Sequence, residues 1–335
     1  MSRFRTACLA LAVVLAPALP LSAQIPDFSS LMNSVSTLAD KAGEALPSAS
    51  SMGLDWSDAW IGSLVGIPPH FGLGLSTGFT TIPTDALQPL FNAMGNALPS
   101  YATALGGVPL PMYTVNARIG GFLLPFDVGL KLGYMPTMTV SNLGLNYLMA
   151  GGDIRYALLQ DGITPGLSLG FGVNYIQANL SYAFSSPSFT VSGTSYTGTG
   201  NSVLQIANPT ASLGLQSLSY ELKAEVSKNL LIVTPYAGAA VSLSSINVNA
   251  AFNGTLEDSS GAVLTPTEIN QLSALSGVNF SSNGITQGLS KTGIYGFRLW
   301  GGTSINIVLF KIDLKAFYTL PSGNLGAELG ARFQM

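Results

Sequence analysis

The sequence predicts an all-β fold: an antiparallel up-and-down transmembrane β-barrel of about ten strands, preceded by a short N-terminal amphipathic helix. Three observations lead there. First, the last forty-odd residues alternate. Phe310, Ile312, Leu314, Ala316 and Tyr318 are separated by Lys311, Asp313 and Lys315, and Leu325, Ala327, Leu329, Ala331, Phe333 and Met335 are then set against Glu328, Gly330 and Arg332. A period of two sends the two sets to opposite faces of a strand. Second, only 9% of the residues are charged, against about 25% in ordinary soluble proteins, so something other than water covers the surface. Third, the connections alternate between short and long, as in barrels that cross a membrane with tight turns on one side and loops on the other. In hydrocarbon, only a closed barrel leaves no strand edge unpaired.

Residues 1–23 read as a signal peptide. Arg3 and Arg5 precede an apolar run from Ala7 to Leu21, and cleavage is expected after Ala23. The run is about fifteen residues, short of the roughly 20 a spanning helix needs, and Pro17 and Pro20 interrupt it. The single cysteine, Cys8, falls within it, so disulfide and thiol chemistry are not expected of the mature chain. Without Arg3 and Arg5, the thirteen basic residues become eleven against sixteen acidic. A mildly acidic exported chain is a poor partner for nucleic acid.

Residues 24–62 form the next unit, a helix and a linker. Phe28, Leu31, Met32, Val35 and Leu38 recur at helical intervals behind an Asp27 N-cap. Such a helix either caps the barrel's periplasmic mouth or plugs its lumen, with Pro47 to Asp58 as linker. Residues 63–335 are the barrel. Its expected strands are His70 to Phe79, Tyr113 to Leu123, Asp127 to Met135, Asn146 to Leu158, Thr164 to Tyr182, Thr210 to Ser227, Ile232 to Ala250, Thr292 to Ile305, Val308 to Leu320 and Asn324 to Gln334. With both ends in the periplasm, the connections Leu124 to Phe126, Leu159 to Ile163, Lys228 to Leu231 and Asn306 to Ile307 are tight periplasmic turns. Thr80 to Met112, Pro136 to Leu145, Ala183 to Pro209 and Ala251 to Lys291 are long external loops, and only the last outward connection, Pro321 to Gly323, is short. In the loop Ala251 to Lys291, Thr265, Pro266, Thr267 and Glu268 spell a capping box with Pro at the first helical position.

Signal peptide, ten alternating segments, short-then-long connections and an apolar row running to the C-terminus together resemble the Gram-negative outer-membrane β-barrel proteins, a porin-like class. The resemblance is architectural and covers residues 70 to 335. It implies a place in the outer membrane, with membrane lipid and the barrel-assembly machinery as partners. Members of that class usually end on Phe, whereas this chain ends Phe333, Gln334, Met335, with Met335 on the outward parity.

Thirteen charged residues have inward parity: Arg118, Lys131, Asp153, Arg155, Glu221, Lys223, Glu225, Arg298, Lys311, Asp313, Lys315, Glu328 and Arg332, eight basic and five acidic. Gly72, Gly74, Gly170 and Gly172 share that parity and leave room beside them. The leading expectation is a narrow, charged, glycine-lined lumen that passes or binds a small solute, with Phe28, Leu31, Met32, Val35 and Leu38 as the plug face. The alternative is a non-conducting cell-surface barrel whose long loops bind host or partner molecules. No cofactor or metal is expected: the G-x-G spellings lie inside strands, not at a strand-to-helix turn, and no His, Cys or carboxylate cluster has ligand spacing. With one histidine, His70, at a strand start beside Pro68 and Pro69, the chain is not expected to be an enzyme.

Overall fold

A computed structural model describes residues 37, 41, 43–62, 70–85, 88, 100–121, 125–140, 143–183, 188–192, 203–258, 260–276 and 279–335. The signal-peptide reading, and Phe28, Leu31, Met32, Val35 and Leu38, lie outside these residues. The strands are β1 (His70–Pro83), β2 (Gly107–Gly120), β3 (Phe126–Val140), β4 (Leu143–Leu159), β5 (Gly166–Ala183), β6 (Ser188–Ser192), β7 (Val203–Ser227), β8 (Val233–Glu257), β9 (Phe280–Ser281), β10 (Gly284–Ile307), β11 (Phe310–Leu320) and β12 (Asn324–Gln334). All but β6 and β9 form one closed antiparallel barrel of ten strands, each paired to its neighbour in sequence order, and β1 pairs β12 to shut the ring. β6 and β9 are short hairpin partners of β7 and β10.

Residues 160–165, 228–232 and 308–309 turn at one end, which also holds the end of β2, the start of β3, the start of β1 and the end of β12. This is the short-turn end. The remaining connections gather at the other, long-loop end, where several expected loops are instead strand. β1 and β2 run on to Pro83 and back from Gly107, β3 and β4 leave only residues 141–142 between them, and β7 and β8 reach 25 residues each. The capping box forms: Thr265 N–H and its hydroxyl donate to Glu268 Oε2 at 2.8 and 2.7 Å, opening the helix Pro266–Ser276.

Strand pattern changes along the barrel. Near the short-turn end the outer face is apolar and exposed, as at Leu130 and Leu222, each 64% exposed, while charged side chains point inward. Farther along, the pattern inverts. On β7, Leu218, Tyr220 and Leu222 face out, but beyond them Leu215 and Leu213 are buried inside. On β8, Val241 and Leu243 face out, after which Asn247 and Asn249 take the outer face and Ile246, Val248 and Ala250 the inner. β5 switches between Phe171, exposed, and Ile176 and Ala178, buried. The half with apolar faces outward suits lipid, and the half with polar faces outward suits water. The lumen is therefore layered, polar toward the short turns and apolar toward the long loops. Its apolar layer contains Ile82, Met112, Met135, Tyr147, Met149, Ile176, Leu215 and Ile246.

Candidate functional site

Pro47 to Asp58, expected as a linker, runs through the lumen. Residues 43–50 are helical, and Leu46, Ala49 and Met52 join the apolar layer. A Cβ on Gly43 would meet Ile246 Cδ1 at 2.6 Å, so the helix is seated against β8. The segment then descends into the polar layer. Ser48 donates to Thr319 Oγ1 (2.8 Å), Ser50 and Ser219 share a hydrogen bond (2.9 Å), Gly53 N–H donates to Glu328 (3.1 Å), and Trp56 Nε1–H donates to Asn116 (3.1 Å). At the short-turn end Ala59 N–H reaches Ser227 (2.9 Å) and Ile61 N–H reaches Asp127 (2.9 Å). Side chains and backbone of the wall thus satisfy a stretch without regular structure, as burial requires.

Two carboxylates of this segment anchor it. Asp55 sits among three cations: Lys223 Nζ at 2.9 Å, an Arg298 guanidinium nitrogen at 2.6 Å and Lys315 Nζ at 3.1 Å. Asp58 receives Lys311 at 2.7 Å and Arg332 at 3.0 Å. The wall pairs within itself as well. Arg118 bridges Asp127 and Asp153, Arg155 bridges Asp127 and Glu225, Arg298 reaches Glu221, Lys223 reaches Asp153, Lys315 reaches Glu328, and Arg332 reaches Asp313. Lys131 donates to the carbonyls of Ser50 and Met52. All thirteen expected residues line this one lumen.

The sequence reading missed three of its acids. Asp127, Asp55 and Asp58 join the five acidic side chains already counted and, among the described residues, bring the lumen wall and residues 53–62 to eight acidic against eight basic. The apparent basic excess of the wall is thereby cancelled. Asp127 opens a strand and so escaped the alternation, although its inward parity with Lys131 was readable. Asp55 and Asp58 lie in a stretch with no period to read. Trp56 completes the packing, its ring 5.6 Å from the Arg118 guanidinium and 4.7 Å from that of Arg332.

The wall glycines do not leave an open path. A Cβ on Gly72 would lie 2.7 Å from the Trp56 ring, and one on Gly129 would lie 2.4 Å from Asp153 and 2.5 Å from Arg118. Their missing side chains are the space that the inner segment and the long charged side chains occupy. His70 stands at the short-turn end, its Nδ1 3.2 Å from the carbonyl oxygen of Met335.

No protein-family model matches the chain, and no curated protein matches it. Solved structures do. The outer membrane protease OmpT from Escherichia coli aligns at 10% identity and a TM-score of 0.42, over 82% of this chain and 100% of that one. The translocator domain of the autotransporter NalP from Neisseria meningitidis aligns at 12% identity and 0.33, over 90% and 97%. The Pseudomonas putida toluene transporter TodX aligns at 10% identity and 0.26, over 81% and 90%. At these identities the likeness concerns the fold alone. One expectation is corrected here: the chain was not expected to be an enzyme, but a protease stands among its structural neighbours, and this barrel architecture serves enzymes and non-enzymes alike. The closed ring of ten antiparallel strands, with its apolar outer belt, makes this chain an outer-membrane-type β-barrel.

Proposed function

We propose that the protein is an outer-membrane barrel that binds a small solute at its long-loop end, while its own residues 43–62 fill the lumen behind, the helix in the apolar layer and residues 53–62 in the charged one. The observation that carries this reading is the filling of the polar layer. Asp55 and Asp58 contact five wall cations and bring the lumen charges into balance, and the bridging groups are almost fully buried. Water-filled channels keep lumen charges wet, whereas buried charges must be paired. Short turns and both barrel ends belong to the periplasmic side, and the long loops to the cell exterior. The signal peptide delivers the chain there, and membrane lipid and the assembly machinery are its partners.

Planar-bilayer recording of the refolded mature chain tests the closure. The wild type is expected to be silent, and the Asp55→Asn/Asp58→Asn pair, which releases five cations from the segment, is expected to show channel events. Steady large conductance in the wild type would overturn the reading. Transport through the whole lumen, the more open alternative, is favoured by one feature: residues 50–62 are held mainly by polar contacts, which water can replace.

A further inference from the structure

The short turns carry apolar tips. Ile163 is fully exposed, Val308 95% and Leu231 88% exposed, with Leu230, Ile232 and Leu309 exposed beside them. Turns in water are ordinarily built from Gly, Pro, Asn, Asp and Ser, whose side chains suit both the solvent and the backbone angles. A bare apolar patch in their place marks a contact surface. Two of the tips also hold backbone angles that glycine adopts more readily, φ 69° at Leu231 and 54° at Val308. For a β-branched residue such as Val308 that is an outlier, and such conformations persist only where the surrounding structure imposes them.

Hydrogen bonding shows what the strain achieves. Ile232 N–H donates back to the Leu230 carbonyl at 2.9 Å, a γ-turn about Leu231, and Leu230 N–H donates to the Val233 carbonyl at 2.8 Å. Leu231 N–H donates to Asn229 Oδ1 at 2.8 Å, and the Leu231 carbonyl accepts from Asn306 Nδ2 at 3.0 Å. The Ile232 carbonyl accepts from Asn306 N–H at 2.7 Å. All six backbone polar groups of residues 230–232 are thus paired within the protein. A turn bathed in water has no need of this, since water would pair them, whereas a turn in an apolar medium requires it. The Asn306 bonds tie this turn to the β10–β11 turn. Asp161 ties it to the β4–β5 turn, accepting from Lys228 Nζ at 3.0 Å and from Asn229 N–H at 2.5 Å. The three turns form one platform.

Strand arithmetic says what covers it. With a rise of about 3.3 Å per residue and a tilt of about 40°, a strand climbs roughly 2.5 Å per residue along the barrel axis. The outward apolar row of β8 runs from Val233 to Leu243 before Asn247 takes that face, and the row of β11 runs from Phe310 to Leu320. Ten such steps span about 25 Å, the height of the apolar band in membrane barrels. The belt therefore needs these strands right down to their turns, and the tips stand where acyl chains meet headgroups. We infer that Ile163, Leu231 and Val308 are membrane anchors, inserted among the acyl chains just beneath the phospholipid headgroups of the leaflet on the short-turn side, and that they fix the depth at which the barrel sits. The occupant follows from continuity with the lipid-covered belt, which ends at these turns. The paired Lys228 and Asp161 lie beside the tips at headgroup level.

Spin labelling tests it on the full mature chain, which lacks Cys8 and so holds no cysteine of its own, refolded in vesicles of phosphatidylethanolamine and phosphatidylglycerol. A nitroxide is attached at Ile163→Cys, Leu231→Cys or Val308→Cys in separate preparations. Its collisions with oxygen, which concentrates in lipid, are compared with those of a nickel chelate, which stays in water. Each tip is expected to favour oxygen several-fold, as a label at Leu222→Cys in the belt does, while a label at Gln271→Cys on the long-loop helix favours the chelate. Tips that match position 271 would place the patch in water, open to a soluble protein, and would overturn the inference. The anchoring role has its own readout. Ile163→Ser, Leu231→Asn and Val308→Gly together supply residues that suit turns in water, so the barrel is expected to fold and to slide toward the short-turn side. A label at Leu243→Cys, at the belt's other edge, is then expected to enter the hydrocarbon and gain oxygen preference several-fold. An unchanged preference at 243 would show that the tips do not set the depth, and would overturn that role. Neither arm depends on solute binding or on closure of the lumen.

Discussion

The two halves of this barrel solve opposite solvent problems with the same ten strands. Near the short turns, lipid outside demands an apolar face, so polarity is forced inward, and a lumen full of charge must then be neutralised from within. Near the long loops, water outside permits polar residues such as Asn247 and Asn249 to face out, and the interior becomes an ordinary apolar core around Ile246 and Leu215. The segment 43–62 matches both, with Leu46, Ala49 and Met52 in the apolar layer and Asp55, Trp56 and Asp58 in the charged one. Position along a strand therefore decides what a substitution does more than the residue type does.

The largest effect is expected at the centre of the charged layer. Asp55→Ala removes the carboxylate that Lys223, Arg298 and Lys315 share and leaves each with a single wall partner, and loss of one partner from a buried ion network costs about 3 to 5 kcal/mol. Urea unfolding of the refolded barrel should show it, with Gln271→Ala on the exposed face of the long-loop helix as the comparison, expected within about 0.5 kcal/mol of wild type. Next comes the outer face. Leu222→Lys lies in the lipid belt and is expected to cost roughly 2 to 4 kcal/mol, while Asn249→Lys, outward on the water-facing half, should be close to neutral. Equal losses at 222 and 249 would erase the division between the halves. Ile246→Val trims one buried methyl from the apolar layer and is expected to cost about 0.5 to 1.5 kcal/mol, readable in the same titrations.

Much of this was legible in the sequence. Inward parity brought all thirteen charged wall residues to one lumen, because a period of two survives any change of what lies outside. The inversion of that pattern was present too, in Tyr175 followed by Ile176 and in Leu218 preceded by Leu215, but a reading that looks only for apolar-out strands ends them at the membrane and assigns the remainder to loops. The prolines of β2 had the same effect. Pro109 and Pro111 argue against a strand by donor count, yet β2 includes them because it pairs β1 as far as Gly107 while its ladder to β3 ends at Val115. Residues 47–62 were illegible for a deeper reason: their conformation is dictated by the wall, residue by residue, and leaves no period of its own.

The smallest expected effect belongs to the long-loop end. Hydrogen bonds from the Thr265 backbone N–H and hydroxyl hold the Glu268 carboxyl below its usual range. A depressed folded value means the cap's contribution is present above the ordinary carboxylate range, around pH 4, and is lost as pH falls through the lower folded value. Amide exchange in Pro266–Ser276 should therefore quicken under acid before the barrel strands are affected. Simultaneous loss in both would show the helix to be bound into the barrel's own cooperative unit.

The inner segment also constrains the order of assembly. It immediately precedes β1, yet Ser48 bonds Thr319 across 271 residues and Gly53 bonds Glu328 across 275. These partners come from the hairpin of β11 and β12, and β12 is the strand that meets β1 to close the ring. Contacts of such separation form only after most of the chain is in place. A ring already shut would have to admit a charged segment end-on through a packed lumen. The last hairpin must therefore arrive with the segment already inside, so that closure of the barrel and neutralisation of its interior are a single late event.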